Sequence, residues 1–380
     1  MTARMIILLC LLALAASACG SAQTERGARP PSPHPPAVYT VGRSLLGLPG
    51  HESVTLAAAP LAPLAGWLTP VAVPSSDGRY VAYNTWRELR EDDPALSWQD
   101  QGISPGDPLA RPSIRLHDLE SGTDRKYVDG ALSLAWRGDG AIAYFKGADP
   151  DYRAGVRYVG DVFVRDTVQG SARRWTEKPD RYVVAGWAGG TLLVYRVGAG
   201  ESLDVLALGG PGKSRVLASN AGLVAVSPDG TRAFIEHGPE SGPPRVNLLA
   251  VANGGRLASL DLTTVDPSVG VVGYSGDWQG DLVAAASASG LALFRITDDR
   301  IELAQTLRAL GQGIAEPRFV GADRVTGWTS SSSGGAFVDC DRASGRCARA
   351  VPMPAARGAE GFPAWRRPVY NPSRPQEGEA

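Results

Sequence analysis

The sequence predicts an all-β chain built from tandem units, each made of two β-hairpins and therefore of four antiparallel strands. Three observations lead there. Val224–Ile235 reads Val-Ala-Val-Ser-Pro-Asp-Gly-Thr-Arg-Ala-Phe-Ile, which is an apolar run, a Pro-Asp-Gly turn and a second apolar run. In such a turn Pro pre-sets φ, the Asp carboxylate can accept backbone N–H groups, and Gly takes φ > 0 without a Cβ clash. Degraded copies of the unit recur along most of the chain. Beyond the N-terminal segment, no stretch carries apolar residues at helical spacing.

The copies follow in order. First hairpins lie at Val71–Tyr83 (turn Ser76-Asp77-Gly78), Leu132–Tyr144 (Gly138-Asp139-Gly140), Val183–Tyr195 (Ala188-Gly189-Gly190) and Val224–Ile235. Weaker ones lie at Val272–Ala284, with Trp278-Gln279-Gly280 at the turn, and at Arg318–Trp328, with Gly321-Ala322-Asp323. Each is followed by a second hairpin: Ile114–Tyr127, Val162–Trp175, Leu203–Leu217 through Gly209-Gly210, Val246–Leu260, Leu291–Leu303, and a last one around Cys340 and Cys347. Gly78, Gly140, Gly190, Gly230 and Gly280 are about 50 residues apart on average, the period of propeller blades. Two hairpins per period make one four-stranded blade, so the expected fold is a β-propeller. Strand-like Val38–Val41 and Ser53–Ala58 precede the first unit, and Gly361–Tyr370 follows the last. Pairing strands from both ends would remove exposed sheet edges. That favours seven blades with a composite last one over six blades with flanking arms.

Apolar-Ser-Pro-Asp-Gly-(Thr/Arg)-x-apolar, followed by a strand ending in Asp-(Leu/Thr)-x-x-Gly, resembles the TolB-like β-propeller repeat. Ser227-Pro228-Asp229-Gly230 is the best match, Ser75-Ser76-Asp77-Gly78-Arg79-Tyr80 is close, and His117-Asp118-Leu119-Glu120-Ser121-Gly122 matches the second part. The resemblance covers most of Val71 to Ala350. It implies a fold and a habit of binding other macromolecules, and it carries no catalytic residues. Asp77, Gly78, Asp139, Gly140, Asp229 and Gly230 are accordingly expected to be structural turn residues. Trp136, Trp187 and Trp328 suit the wedge between blades, where large apolar groups cover adjoining sheet faces.

The N-terminus reads as an export signal. Arg4 precedes the apolar run Met5–Ala16, which is too short to span a bilayer permanently. The run ends Ala16-Ser17-Ala18-Cys19-Gly20, which resembles the lipobox of bacterial lipoproteins. The resemblance implies cleavage after Ala18 and lipidation of Cys19, whose alternative is ordinary secretion with a free thiol. Gly20–Pro36 holds five Pro among polar residues and reads as a flexible tether. The expected division is therefore signal 1–18, tether 19–37, propeller 38–370 and a disordered tail 371–380. Cys340 and Cys347 flank the turn Asp-Arg-Ala-Ser-Gly-Arg, so they should face each other across adjacent strands. Outside the cytoplasm that favours a disulfide, one closing a short loop and contributing about 2–3 kcal/mol at best.

A net charge of -1 argues against nucleic-acid binding, which needs a cationic footprint. The four His show no metal-ligand spacing, and no nucleophile elbow or phosphate-binding loop occurs. No metal or cofactor is expected. A long insertion between Tyr83 and Ile114 carries Trp86, Glu91, Asp92, Asp93 and Trp98, a possible partner-binding lid whose alternative is a solvated excursion. Two functional classes follow. One is a monomeric, membrane-tethered, non-catalytic binding protein on the outer face of the cytoplasmic membrane, with a protein, peptide or envelope polymer as partner. The other is a propeller hydrolase or lyase acting on glycans or lactones through carboxylates in a central channel. Fold alone does not separate them. If the lid reading holds, Trp98→Ala weakens partner capture while leaving the circular-dichroism spectrum unchanged; undiminished capture rejects it.

Overall fold

The computed structural model describes most of residues 39–363, apart from 47–52, 59–71, 88–109, 148–158, 309–313, 353–361 and a few shorter stretches. Residues 1–38 and 364–380, which include Cys19, the tether and the tail, lie outside the described residues. Within them the chain is strand and turn throughout, with one 3-10 turn at Leu262–Thr264.

Both expected hairpins appear in each of the six repeats, and each repeat forms an antiparallel meander of four strands. The first meander joins β4 (Ala72–Pro74), β5 (Tyr80–Arg87), β6 (Ala110–Asp118) and β7 (Asp124–Asp129). The second joins β8 (Ala131–Trp136), β9 (Ile142–Gly147), β10 (Gly160–Arg165) and β11 (Arg173–Arg174). The third runs through β12 (Tyr182–Ala188), β13 (Thr191–Val197), β14 (Leu203–Gly210) and β15 (Lys213–Ala218). The fourth comprises β16 (Ala221–Val226), β17 (Arg232–His237), β18 (Arg245–Ala250) and β19 (Arg256–Asp261). An eight-stranded sheet holds the last two. They are β20 (Val272–Gln279), β21 (Leu282–Ser287), β22 (Gly290–Thr297) and β23 (Arg300–Arg308), then β24 (Ala315–Val320), β25 (Arg324–Ser331), β26 (Gly334–Asp341) and β27 (Arg346–Pro352). One parallel pairing, Arg308 with Arg346, joins those two meanders into a single sheet. A further sheet combines the two ends of the described chain: β28 (Phe362–Pro363) pairs with β1 (Tyr39–Val41), followed by β2 (Ser44–Leu46) and β3 (Ser53–Thr55). One turn differs from expectation. Gly209 and Gly210 continue β14, and the chain reverses at Pro211-Gly212, where Gly212 has φ +64°.

The core lies between sheets. Leu45, Val54 and Leu56 pack on Val81 and Tyr83, and Ile114 and Leu116 pack on Leu134 and Tyr144. Phe145 and Val162 meet Val184 and Leu192; Leu193 and Val205 meet Leu223 and Ile235. Phe234 and Leu248 meet Val283 and Phe294, and Leu293 meets Val325 and Val338. Each inner sheet therefore buries both faces, which is why apolar character repeats while residue identity drifts. The first strands of successive sheets pack on one another, β4 on β8, β8 on β12, β16 on β20 and β20 on β24. The last strands, such as β15 and β19, are largely exposed. First strands thus form the inside of the fan and last strands its rim.

The Asp-Gly turns are built alike. In two of them a buried Ser hydroxyl donates to the Asp carboxylate, Ser75 to Asp77 and Ser227 to Asp229, each at 2.5 Å. The same hydroxyls accept the amides of Tyr80 (2.8 Å) and Arg232 (2.9 Å). Arg137 replaces the Ser in the next copy, its guanidinium donating to both oxygens of Asp139 at 2.8 and 2.7 Å. Gly78 and Gly230 share a left-handed backbone, with φ of +70° and +71°. Their surroundings differ: a Cβ on Gly78 meets nothing within 4 Å, whereas one on Gly230 comes within 2.5 Å of the Gly189 nitrogen in the preceding sheet. Gly78→Ala should cost about 1–2 kcal/mol for the left-handed conformation alone. Gly230→Ala should cost a further ~1–3 kcal/mol, because the turn must move away from its neighbour. Denaturant midpoints at constant m-value measure the difference; equal losses would show that the inter-sheet contact is soft.

Candidate functional site

Of the residues singled out by sequence, Trp86 has its backbone in β5, while its side chain and all of Glu91, Asp92, Asp93 and Trp98 lie outside the described residues. Cys340 and Cys347 are paired in the β26–β27 register and joined by a disulfide, with an S–S distance of 2.07 Å. Trp136 and Trp187 are fully buried and donate their indole N–H groups to the preceding sheet, to Val73 O (3.0 Å) and Ala135 O (3.3 Å). The side chain of Trp328 lies outside the described residues.

Other polar groups of the inner strands also bridge sheets. Five of the first strands carry a register shift, at Leu132/Leu134, Val184/Gly186, Leu223/Ala225, Val272/Gly276 and Ala315/Arg318. Such bulges free backbone groups from the ladder. Ser133, held at φ +37° in the first bulge, accepts the Val184 amide at 3.0 Å. The Tyr195 hydroxyl accepts the Leu223 amide (2.9 Å) and donates to the Leu223 carbonyl (3.1 Å) at the third. Asp277 accepts the Phe319 amide at 2.9 Å.

A denser buried cluster links the composite sheet to the first meander. Asp124 takes the Tyr83 hydroxyl (2.6 Å), the Arg115 Nε–H (2.7 Å) and the Ala57 amide (3.2 Å), and His117 Nδ1 lies 3.5 Å away. Burial alone would raise the Asp124 pKa, but the hydrogen bonds from Tyr83, Ala57 and Arg115 outweigh it and hold the carboxyl below its usual range. Burial, helped by the Asp124 bond, pushes the Tyr83 phenol up. The cluster ties Ala57, just past β3, to β5–β7. Sequence reading placed His117 only in a repeat signature; Tyr83, Arg115 and Asp124 carry no motif, and only strand register brings them together.

Two open cavities lie between sheets. One of about 160 Å³, between the second and third meanders, is lined by Thr176, Glu177, Tyr182, Arg196 and Arg215. The other, about 200 Å³, sits between the third and fourth and is lined by Leu217, His237, Arg245, Asn247, Leu249 and Arg256. Burial and the two guanidinium groups together hold the His237 pKa below its usual value. Aligning the third and fourth repeats would have brought out the second set, because its basic residues stand where the third repeat has an Arg–Asp pair. Among the described residues no group of three or more His, Cys, Asp or Glu is placed to hold a metal ion.

No family model matches the sequence, and a search of curated proteins found no significant match. Among solved structures, a prolyl endopeptidase aligns at a TM-score of 0.55 and 14% identity, covering 89% of this chain and 50% of that one. The chain thus spans half the length of that enzyme. The β-propeller domain of the Trilobed protease from Pyrococcus furiosus, reported to have an open velcro topology, aligns at a TM-score of 0.47 and 16% identity, covering 75% and 83% of the two chains. A protein described as TolB from Agrobacterium tumefaciens gives a TM-score of 0.43 and 12% identity, covering 69% and 94%. At 14% identity the likeness to the prolyl endopeptidase is one of fold, and with its successive four-stranded meanders packed face on face the chain is a β-propeller.

The Asp124 cluster yields a pH prediction. The folded-state pKa of Asp124 is depressed, so the unfolded chain binds more protons as pH falls. Its contribution is complete above the unfolded value near 3.9 and is lost as pH drops below that, through the folded value. Asp124→Asn should cost about 1.5–3 kcal/mol at pH 7, the worth of hydrogen bonds to a charged group. Denaturation at pH 7 and pH 3 should show the deficit shrinking in acid. An equal deficit at both would assign the loss to shape instead of charge.

Proposed function

We propose that the protein is an exported, membrane-tethered β-propeller that acts by binding a protein, peptide or cell-envelope polymer and not by catalysis. The observation that carries this reading is the use made of polar groups on the first two strands of the meanders. Ser133, Trp136, Trp187, Tyr195 and Asp277 are each spent on a hydrogen bond between neighbouring sheets. They act as mortar between blades, which suits a rigid display platform, and the described cavities open between sheets instead.

The tether belongs to the same proposal. It is supported by the apolar run before Cys19, the small residues at Ala16-Ser17-Ala18 and the Pro-rich polar stretch to Pro36. Lipid on Cys19 would place the propeller at the outer face of the cytoplasmic membrane as a monomer. A ring of seven blades completes the reading, supported by the composite sheet and by the two meanders within the eight-stranded one.

Two measurements test this. Cys19→Ser should move the protein from the membrane to the soluble extracytoplasmic fraction, and continued membrane association would reject the lipid tether. Cross-linking and pull-down of the full-length lipidated chain from envelope fractions should recover a saturable partner. Turnover of an oligosaccharide or lactone by the purified chain would instead establish the enzyme class.

A further inference from the structure

The cavity between the third and fourth meanders differs from its neighbour in charge. Strand register makes the two repeats comparable position by position. In the third, Val194 pairs with Leu206 and Arg196 with Asp204. In the fourth, Ile235 pairs with Asn247 and His237 with Arg245. Val194 and Leu206 face the preceding sheet, as Ile235 does, so the equivalent pairs look into equivalent clefts. Farther along, Leu208 pairs with Ser214 and Leu249 with Arg256, which sets Arg256 where the third meander has Ser214.

In the third meander this position closes on itself: Arg196 and Asp204 form an ion pair at 2.6 Å. In the fourth, the acid is replaced by Arg245, the Arg by His237, and Arg256 adds another cation. Among the described residues, neither Arg245 nor Arg256 has a carboxylate within ion-pair distance. Asp261 stands opposite Arg245 in the register and feels its charge, but the two stop short of an ion pair, and Asp261 Oδ1 accepts the Thr263 amide (2.9 Å) and hydroxyl (2.7 Å). Glu236, next to His237, turns to the opposite face of the sheet with Val246. The third meander contributes Leu217 and Ala218. Deeper in the cavity wall Asn247 is 4% exposed, and its buried Oδ1 has no hydrogen-bond partner in the protein. A buried acceptor without a partner is costly unless a donor meets it, such as a hydroxyl group of the molecule that carries the anion.

We propose that this cleft is a binding site for a single oxyanion group, a phosphate or a carboxylate, held by Arg245 and Arg256 with His237 beside them. Guanidinium forks recognise both anions through paired charge-assisted hydrogen bonds, and the Leu217 and Leu249 side chains supply an apolar wall. At about 200 Å³ the cavity admits such a group at the end or side of a larger molecule. The inference stands on these residues and holds whether or not the chain is tethered to a membrane.

Isothermal titration of the full chain tests it, with inorganic phosphate in one arm and glucuronate in the other. Saturable, salt-sensitive binding of one probe is expected, and the probe that binds identifies the anion. Arg256→Ala, at an exposed position, should weaken that binding by about tenfold or more. The double variant His237→Arg/Arg245→Asp transplants the closed ion pair of the neighbouring meander and should abolish binding while keeping the wild-type denaturation midpoint. Failure of both probes to bind at millimolar concentration overturns the proposal, as does unchanged binding by a folded double variant.

Discussion

Every described inner sheet has two apolar faces, and neither can be left to water. That requirement governs the molecule. A four-stranded meander with two greasy sides is satisfied only between two others, so the unit of stability is the gap between sheets. Trp136, Trp187, Phe234 and Phe294, among the largest of the fully buried side chains, all sit in such gaps. Polar groups follow the same logic, for Ser133 and Tyr195 meet backbone freed by bulges in the adjoining sheet. Specific cross-sheet bonds fix how one blade rests on the next, where hydrophobic contact alone would tolerate sliding.

The architecture was legible because it rests on short-range signals. Pro228-Asp229-Gly230 announces a reversal within four residues, and alternating apolar runs announce the strands on either side. The exception is instructive. Gly209-Gly210 looks like a turn, yet the pyrrolidine of Pro211 and the left-handed Gly212 hold the reversal two residues later. β2 went unread because Ser44–Leu46 is only three residues long, too short for an alternating pattern to show.

The sites were much less legible. Asp124 gathers partners from β5, β6 and the segment after β3, a convergence that depends on register and on which sheets adjoin. Arg245 and His237 look like ordinary strand-end residues until they are set against Asp204 and Arg196. In a repeat protein the informative comparison is internal: a position that is neutralised in one copy and left cationic in the next marks a departure from the scaffold. Common residues describe the fold, and differences between copies describe what one blade does alone.

The pairing of Tyr39 with Pro363 has a further consequence. A ribosome or translocon delivers a chain from its first residue to its last, yet here one sheet needs both ends of the described chain. β1 to β3 must therefore wait, lacking their partner β28, until the six meanders in between have emerged. Completion is coupled to arrival of Phe362–Pro363, so a copy truncated before them would lack one strand of that sheet and leave β1 with an unpaired edge.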